Sequence, residues 1–202
     1  MKKKQIILAT FNSAKVKEIQ QIFSLDRFEL HSLGEFPNAE PVIEDGETLV
    51  DNALKKAHTS FQSLGLLSMA DDTGLEVDGL DGAPGVRSSR FAGEHANAQE
   101  NNEKLLRLLK GIPFEKRTAR FRTVVAFVDG GKDHFVEGVC EGIIHLEYRG
   151  QMGFGYDPLF FVPEEKKTFA EMTAQQKNRI SHRGIAFRKM ADWLTHSWIS
   201  SL

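Results

Sequence analysis

The chain has 202 residues, of which 41% are hydrophobic and 27% are charged, which is ordinary for a globular protein. Its formal net charge of −2 excludes a global basic field of the kind that holds nucleic acid, so we expect no nucleic-acid partner. Cys140 is the only cysteine, which excludes an intramolecular disulfide and fits a reducing compartment.

The N-terminus carries three lysines followed by the apolar residues 6–9. This apolar run is too short for the core of a secretory signal. No segment approaches the roughly 20 apolar residues that a membrane-spanning helix needs. We therefore expect a cytoplasmic protein with no membrane partner.

Hydrophobic periodicity predicts alternating strands and helices, then a long hairpin, then a C-terminal helix. We interpret residues 73–91 as a glycine-rich hairpin or irregular flap, and residues 129–132 as a hairpin turn. This order predicts an α/β fold with a mixed β-sheet, built as a single domain over residues 1–202. The predicted strands cover residues 4–10, 28–33, 66–70, 118–128, 134–147 and 159–162, and the predicted helices cover 12–24, 47–63, 97–110 and about 183–198.

Two acidic residues, Asp71 and Asp72, directly follow the third predicted strand and precede Thr73 and Gly74. A strand that ends in carboxylates and a hydroxyl suits Mg²⁺, which takes one or two carboxylates together with substrate phosphates. Side chains alternate between the faces of a strand, so only one of the two acids points into a given cleft if the extended geometry continues. Taken alone, the motif is better explained as an acidic turn.

A polar turn with Thr10, Asn12, Ser13 and Lys15 connects the first predicted strand to the first predicted helix. Backbone N–H groups at a helix N-terminus bind phosphate, and the lysine adds positive charge. Asn12 or Ser13 would cap the helix. An ordinary helix cap with a solvated lysine explains the same residues.

The helix that follows the acidic loop 44–47 carries Thr48, Asn52 and Lys56 on one face. Such a stripe suits a helix that faces a polyphosphate, although a solvent-facing helix shows the same pattern. Glu44 in the preceding loop is a candidate second carboxylate ligand for a metal held by Asp72.

Two further clusters lie in the C-terminal part. Residues 153–158 place Phe154 and Tyr156 between glycines, where an aromatic face would stack on a base; a tight turn with half-buried aromatics is the alternative. Lys177 precedes His182 and Arg183, which would project from the first turn of the last helix after a capping Ser181. Cations are disfavoured at that end of a helix, so this placement favours an anion or carbonyl ligand over a plain surface helix.

Together these segments resemble, in this order and over nearly the whole chain, the inosine triphosphate pyrophosphatases of the RdgB type. Single motifs are weakly specific, whereas their joint occurrence is strongly specific. The matching segments are Ala9-Thr10-x-Asn12-x-x-Lys15, Glu44-x-Gly46-x-Thr48 with Asn52, Lys56 and Ala57, residues 70–75, residues 82–85, residues 89–93, Arg117-x-Ala119-Arg120-Phe121, residues 153–158, Lys177, and residues 180–183.

The resemblance implies hydrolysis of ITP, dITP and XTP to the monophosphate and pyrophosphate with Mg²⁺ as cofactor. It also implies an elongated mixed sheet flanked by helices, two lobes with a nucleotide cleft between them, and a homodimer. Asp72 corresponds to the catalytic, metal-binding aspartate, and Glu44 to a second metal ligand, with the adjacent Asp45 as the alternative. The implied substrate-binding residues are Thr10, Phe11, Asn12, Ser13, Ala14, Lys15, Lys56, Thr73, Phe154, Gly155, Tyr156, Asp157, Lys177, His182 and Arg183.

The chain departs from the family pattern at two positions: Phe11 replaces a common glycine, and Thr73 replaces a common serine. A sensor that binds purine triphosphates without hydrolysing them is the alternative function, and an enzyme for modified pyrimidine triphosphates is a third. We expect the apolar hairpin 118–147 to offer the dimer surface. The sequence does not rank ITP against XTP and identifies no residue that excludes GTP.

Overall fold

The computed structural model describes residues 3–23, 27–131 and 133–201. It contains a sheet of eight strands accompanied by five α-helices and several short 3₁₀ turns. The strands are β1 (Lys4–Leu8), β2 (Phe28–Ser32), β3 (Leu67–Val77), β4 (Pro84–Gly85), β5 (Thr118–Val128), β6 (His134–Ile144), β7 (Phe160–Val162) and β8 (Lys167–Thr168). The helices are α1 (Ser13–Ile22), α2 (Leu49–Leu64), α3 (Ala98–Leu108), α4 (Ala174–Ile180) and α5 (His182–Trp193), which Leu194–Trp198 continue as a π-helix.

The strand order is β2-β1-β3-β5-β6-β7-β8, and β4 pairs with β3 outside this path. β1 pairs in parallel with both β2 and β3, whereas the β3–β4, β6–β7 and β7–β8 pairs are antiparallel. The predicted α/β class with a mixed sheet is therefore confirmed. Lys132 in the predicted turn at 129–132 lies outside the described residues.

Two differences from the predicted elements bear on function. β3 does not stop at Ala70 but continues through both acids to Val77, where it pairs with β5 and, near its end, with β4. Two acids and a glycine are poor strand formers, and the tertiary pairing overrides that preference. Helix α4 was not predicted; its N-terminal capping box, Thr173 with Gln176, is the local signal that marks it.

The chain divides into two compact units. Unit 1 comprises residues 1–72, 123–138 and 183–202. Its described hydrophobic cluster draws on β1, β2, β3, β5, α1, α5 and the π-helix. Each fully buried Phe side chain contributes about 1.5–3 kcal/mol of hydrophobic stabilisation. The buried members are Ile6, Leu8, Ile19, Phe23, Phe28, Met69, Val125, Phe127, Ala186, Phe187, Met190, Leu194 and Trp198.

Unit 2 comprises residues 73–122 and 139–182 and has its own hydrophobic cluster. Phe121 lies 4.6 Å from Phe160 and 6.0 Å from Phe169 between ring centroids, so three aromatic rings form the centre of this cluster. The other buried members are Leu75, Val77, Leu105, Leu109, Ala119, Cys140, Ile144, Tyr156, Leu159, Val162 and Met172. In the part of the chain that the structure describes, no helix is long and apolar enough to cross a membrane.

Candidate active site

Strand pairing in unit 1 brings the acidic pair level with the turn that follows β1. Leu8, the last residue of β1, is the partner of Met69 on β3, and the Ala9 N–H donates to the Met69 carbonyl at 2.8 Å. β3 continues past this point, so Asp71 and Asp72 lie beside residues 10–15. In open α/β sheets, ligands bind outside the carboxyl ends of parallel strands, which is where these residues lie.

The extended backbone sends the two carboxylates to different partners. Asp71 is buried, and its Oδ2 lies 3.1 Å from Lys15 Nζ and 3.3 Å from both Nε and Nη2 of Arg183. Arg183 is also buried and donates through Nη1 to Glu18 Oε2 at 2.7 Å. Two carboxylates and two cations therefore form one buried ionic cluster, which we call the Asp71 cluster.

Each charged group of the Asp71 cluster is stabilised by opposite charges of the same cluster. Asp71 loses hydration on burial, but the Lys15 ammonium and the Arg183 guanidinium outweigh that cost and hold the pKa of its carboxyl well below the usual aspartate range. Burial lowers the pKa of Lys15 from its ordinary value, and the charge of Asp71 opposes this shift. The pKa of Arg183 is raised despite burial, because Glu18 and Asp71 both face it.

Asp72 points to the side occupied by α2 and the Glu44 loop. Its Oδ2 accepts a hydrogen bond from Asn52 Nδ2 at 3.1 Å, and its Oδ1 accepts one from Lys56 Nζ at 3.2 Å. Lys56 also donates to Glu44 Oε1 at 2.6 Å and to the Asp71 carbonyl at 2.7 Å. The two carboxylates of Glu44 and Asp72 thus converge on one cation.

Burial is the main cause that raises the pKa of Asp72 above its ordinary value; the Lys56 ammonium opposes this, and the Glu44 carboxylate adds to it. Asp72 therefore differs from Asp71 although the two are adjacent. The carboxylate of Asp71 is stabilised as an ion, whereas that of Asp72 holds its charge at a cost. A perturbed carboxyl beside specific charge partners is typical of a functional site.

A glycine controls how Asn52 is oriented. The Gly46 N–H donates to Asn52 Oδ1 at 2.8 Å, which leaves the amide nitrogen of Asn52 for Asp72. A Cβ at position 46 would lie 2.7 Å from Asn52 Oδ1 and 2.8 Å from Asp51 Cβ, so only glycine fits there without a shift. Thr48 was expected on the same helix face, but it caps α2 and bonds to Asp51 instead.

Asn52 and Lys56 are buried, so the solvent-facing interpretation of this stripe is wrong for those two residues. The predicted phosphate turn contains a true helix cap. Asn12 Oδ1 accepts hydrogen bonds from the backbone N–H groups of Ala14 and Lys15, and Thr10 Oγ1 accepts one from Asn12 N–H. Phe11 and Ser13 are exposed. Asn12 therefore caps α1. Lys15 is held towards β3 by Asp71 and is not solvated, so phosphate binding at this turn stays a prediction beside the helix cap.

Unit 2 carries the predicted aromatic cluster. Lys177 is buried, donates to Asp157 Oδ2 at 2.7 Å and lies 4.9 Å from the centroid of the Phe154 ring. Asp157 Oδ2 also accepts from the Phe154 N–H at 2.8 Å, so the loop 153–157 is closed on itself. Asn102 of α3 donates to the Gly155 carbonyl at 2.9 Å and fixes the loop from the other side.

Two other predicted site residues of unit 2 with rings, Tyr156 and His182, are buried rather than open. Tyr156 packs in the unit 2 cluster, and its hydroxyl donates to the Ser88 carbonyl at 2.8 Å, so its ring supports the loop. His182 is 2% exposed and stacks on Phe121 with 4.5 Å between ring centroids. Thr73 lies on β3 and is half-buried.

Among the predicted site residues, unit 1 contains residues 10–15, Glu44, Lys56, Asp72 and Arg183, and unit 2 contains Thr73, residues 154–157, Lys177 and His182. Asp45 is exposed and pairs with Lys55, whereas Glu44 is half-buried and meets Lys56. From the sequence, no role was assigned to Glu18, and Asp71 was considered only as one of the two acids of the Mg²⁺ motif. The local sequence feature that could indicate a role for Glu18 is its position one helical turn after Lys15.

Within the described residues, no group of three His, Cys, Asp or Glu side chains is positioned to hold a metal. The set around Lys56 Nζ consists instead of two carboxylates and one peptide carbonyl, all oxygen donors. Hard cations such as Mg²⁺ take such donors and leave further positions to substrate. The donor set therefore fits a divalent cation shared with a phosphate ligand.

Comparison with known proteins identifies the family. The model of the Ham1 family matches residues 6–193. The chain belongs to the Ham1 family. A dITP/XTP pyrophosphatase of Desulforamulus reducens is 51% identical over 196 residues, covering 96% of this chain and 98% of that protein. One of Bacillus cereus is 48% identical over 192 residues, covering 94% of each.

Solved structures of the Ham1 family agree with this assignment. A HAM1 protein from Coxiella burnetii has a TM-score of 0.87 at 39% identity, covering 96% of this chain and 100% of that one. A dITP/XTP pyrophosphatase from Mycobacterium abscessus has a TM-score of 0.74 at 40% identity, covering 92% of this chain and 98% of that one. The family predicted from the motif order is thereby confirmed.

We predict that the Asp71 cluster makes this Ham1-family protein sensitive to acid. An aspartate whose pKa is lowered by folding stabilises the protein above its unfolded pKa of about 3.9, and this contribution is lost as the pH falls further. Thermal unfolding of the wild type should therefore lose stability below about pH 4. The melting temperature of Asp71→Asn should change less over that interval; an equally steep loss would contradict the assignment.

We predict that Gly46→Ala lowers activity by disturbing Asn52 and, through it, Asp72. Overpacking of this kind typically costs about 1–3 kcal/mol, so thermal unfolding should show a protein that is weakened but folded. Turnover of the substrate proposed below should fall about tenfold, the effect of about 1.4 kcal/mol on the activation barrier. Gly34→Ala is the matched control, since its added Cβ would make only ordinary contacts at 3.6 Å or more. Equal turnover in the two variants would refute the role of Gly46.

Proposed function

We propose that this chain hydrolyses non-standard purine nucleoside triphosphates, ITP, dITP and XTP, to the monophosphate and pyrophosphate. The observation that carries the proposal is the convergence of Glu44 and Asp72 on one cation, beside the Lys15 turn, in a Ham1-family chain. The relatives from Desulforamulus reducens and Bacillus cereus, both named dITP/XTP pyrophosphatase, support the same chemistry.

We propose Mg²⁺ as the cofactor, with Asp72 and Glu44 as its protein ligands. When bound, the metal ion would neutralise triphosphate charge and activate the attacking water. Asn52 holds Asp72 Oδ2, which leaves Oδ1 turned towards Glu44 and Lys56. The two oxygens of Asp72 therefore have different surroundings. This difference would let one oxygen bind the metal while the other accepts a proton.

The residues of unit 1 that follow β1 suit the phosphate chain. The N-terminus of α1 presents backbone N–H groups at the positive end of its dipole. Lys15 is held at this turn by Asp71, so its ammonium is pre-positioned instead of mobile. A fixed positive charge stabilises the charge that develops on the phosphates without reorganisation at the moment of reaction.

The aromatic loop of unit 2 suits the base. The Phe154 ring is half-buried and offers a stacking face. Lys177 beside it already donates to Asp157 and would donate to a base carbonyl by sharing or exchanging that partner. Hypoxanthine and xanthine carry a carbonyl at position six, where adenine carries an amino group. Donors that lack a partner when adenine binds would discriminate against ATP by several powers of ten.

His182 and Arg183 stay candidate base-reading residues, as the resemblance implies. Arg183 already has two carboxylate partners, Glu18 and Asp71, so its part in base recognition requires an exchange of partners or only an indirect effect. Guanine also carries the six-carbonyl, and its exclusion is not explained by these residues.

We further propose a cytoplasmic homodimer, with the whole chain as one catalytic domain. In the apolar hairpin 118–147 expected to form its surface, Phe121 and Phe127 of β5 are buried within the chain, whereas Phe135 of β6 is exposed.

The proposal predicts pyrophosphate release from ITP, dITP and XTP that requires a divalent cation, with little release from ATP and GTP. A nucleotide panel with Mg²⁺, with EDTA and with modified pyrimidine triphosphates checks this directly. Release from all purine triphosphates alike would retain the chemistry but reject the base selection. Binding of ITP without pyrophosphate release would favour the sensor function. Preferential release from a modified pyrimidine triphosphate would favour an enzyme for that class of substrate.

We predict that Asp72→Asn retains the fold and loses most turnover. An amide in place of this carboxylate cannot accept a proton and carries no charge to bind a divalent cation, so kcat/KM should fall for all three substrates. Asp45→Asn is the matched control in the Glu44 loop and should change turnover little. Full turnover in folded Asp72→Asn, or a large loss in Asp45→Asn, would contradict the assigned ligands.

A further inference from the structure

Lys56 has no donor left for a substrate in this structure. A lysine ammonium has three N–H groups. The Nζ of Lys56 has three acceptors, namely Glu44 Oε1 at 2.6 Å, the Asp71 carbonyl at 2.7 Å and Asp72 Oδ1 at 3.2 Å. The side chain is 8% exposed, so water contributes little to this arrangement. Lys56 therefore cannot bind a phosphate until it leaves at least one of these oxygens.

The three acceptors of Lys56 are the ligand types that a divalent cation uses: two carboxylates and a peptide carbonyl. One ammonium thus occupies the point at which the oxygens of Glu44 and Asp72 converge. Two cations that close to each other repel strongly in a partly buried site. A divalent ion and the ammonium therefore compete for the same oxygens.

We propose that Lys56 is a resident counter-cation that keeps metal affinity low in the nucleotide-free protein, so that the metal enters together with the triphosphate. This inference rests on the proposed function and adds the order in which its components bind. The triphosphate supplies new oxygen acceptors to the displaced ammonium and further ligands to the metal. Once it is displaced from Glu44 and Asp72, Lys56 contacts the phosphates.

This arrangement makes the two ligands strongly cooperative. Binding free energies of two ligands are reciprocal, so a triphosphate that releases Lys56 tightens metal binding by the factor by which metal tightens the triphosphate. Without the Lys56 charge, the carboxylates of Glu44 and Asp72 would face one another uncompensated, and a free divalent ion would relieve that repulsion. Removing the charge should therefore raise metal affinity while it weakens the coupling.

The test is Mn²⁺ binding to the full-length, nucleotide-free protein, measured by electron paramagnetic resonance or calorimetry. Lys56→Met should bind Mn²⁺ at least about tenfold more tightly than the wild type, a change of about 1.4 kcal/mol. Lys55→Met is the matched control: it removes the neighbouring lysine of the same helix, whose exposed partner is Asp45, and should leave the affinity near that of the wild type. Unchanged or weaker Mn²⁺ binding in Lys56→Met would overturn the proposal.

Two further measurements keep the test decisive. Lys56→Gln, which retains polar N–H groups without the charge, replaces Lys56→Met if circular dichroism shows that the latter is unfolded. In the wild type, a non-hydrolysable imido analogue of a purine triphosphate should tighten Mn²⁺ binding, and it should do so less in the variant. Equal coupling in both would overturn the proposal. Absence of pyrophosphate release from every nucleotide would instead refute the proposed function, since that result is read in a separate assay.

Discussion

Extended backbone through Asp71 and Asp72 is the constraint from which the chemistry of unit 1 follows. Because consecutive side chains of a strand point to opposite faces, two adjacent carboxylates acquire different surroundings. Asp71 meets Lys15 and Arg183, whereas Asp72 meets Lys56, Asn52 and, across Lys56, Glu44. A turn at the same sequence would have placed both acids on one side, where their charges would repel.

The two faces differ in what their charges do. In the Asp71 cluster, the carboxylates of Asp71 and Glu18 both accept hydrogen bonds from the buried guanidinium of Arg183. Removing one member of such a set leaves a buried charge without compensation. At Asp72, burial disfavours the charged carboxylate, and the Lys56 ammonium is shared with Glu44. Exchange of cations is therefore possible at Asp72 and unfavourable at Asp71.

Much of this arrangement was predictable, and the remainder has a physical reason. Helices α1 to α3 and strands β1, β2, β5 and β6 agree with the predicted elements to within a few residues, because their hydrophobic pattern is local to each segment. The course of β3 past Ala70 was not predictable, since it depends on pairing with β5 and β4, which lie further along the chain. Glu18, Gly46 and Asn102 were missed as supporting residues, because each acts through a partner far along the chain or through a close contact that leaves no periodic signal. The burial of Arg183 and Tyr156 was likewise set by tertiary packing.

The central claim is that folding favours the charge of Asp71 and disfavours that of the adjacent Asp72. It is tested most directly by the unfolding free energies of Asp71→Asn and Asp72→Asn at neutral pH. Asp71→Asn should be destabilised by about 3 kcal/mol, because Lys15 and Arg183 lose a buried partner. Asp72→Asn should be destabilised clearly less, because burial disfavours the Asp72 charge and Lys56 keeps Glu44 as a carboxylate partner. Changes of the same sign and similar size in the two variants would contradict the account.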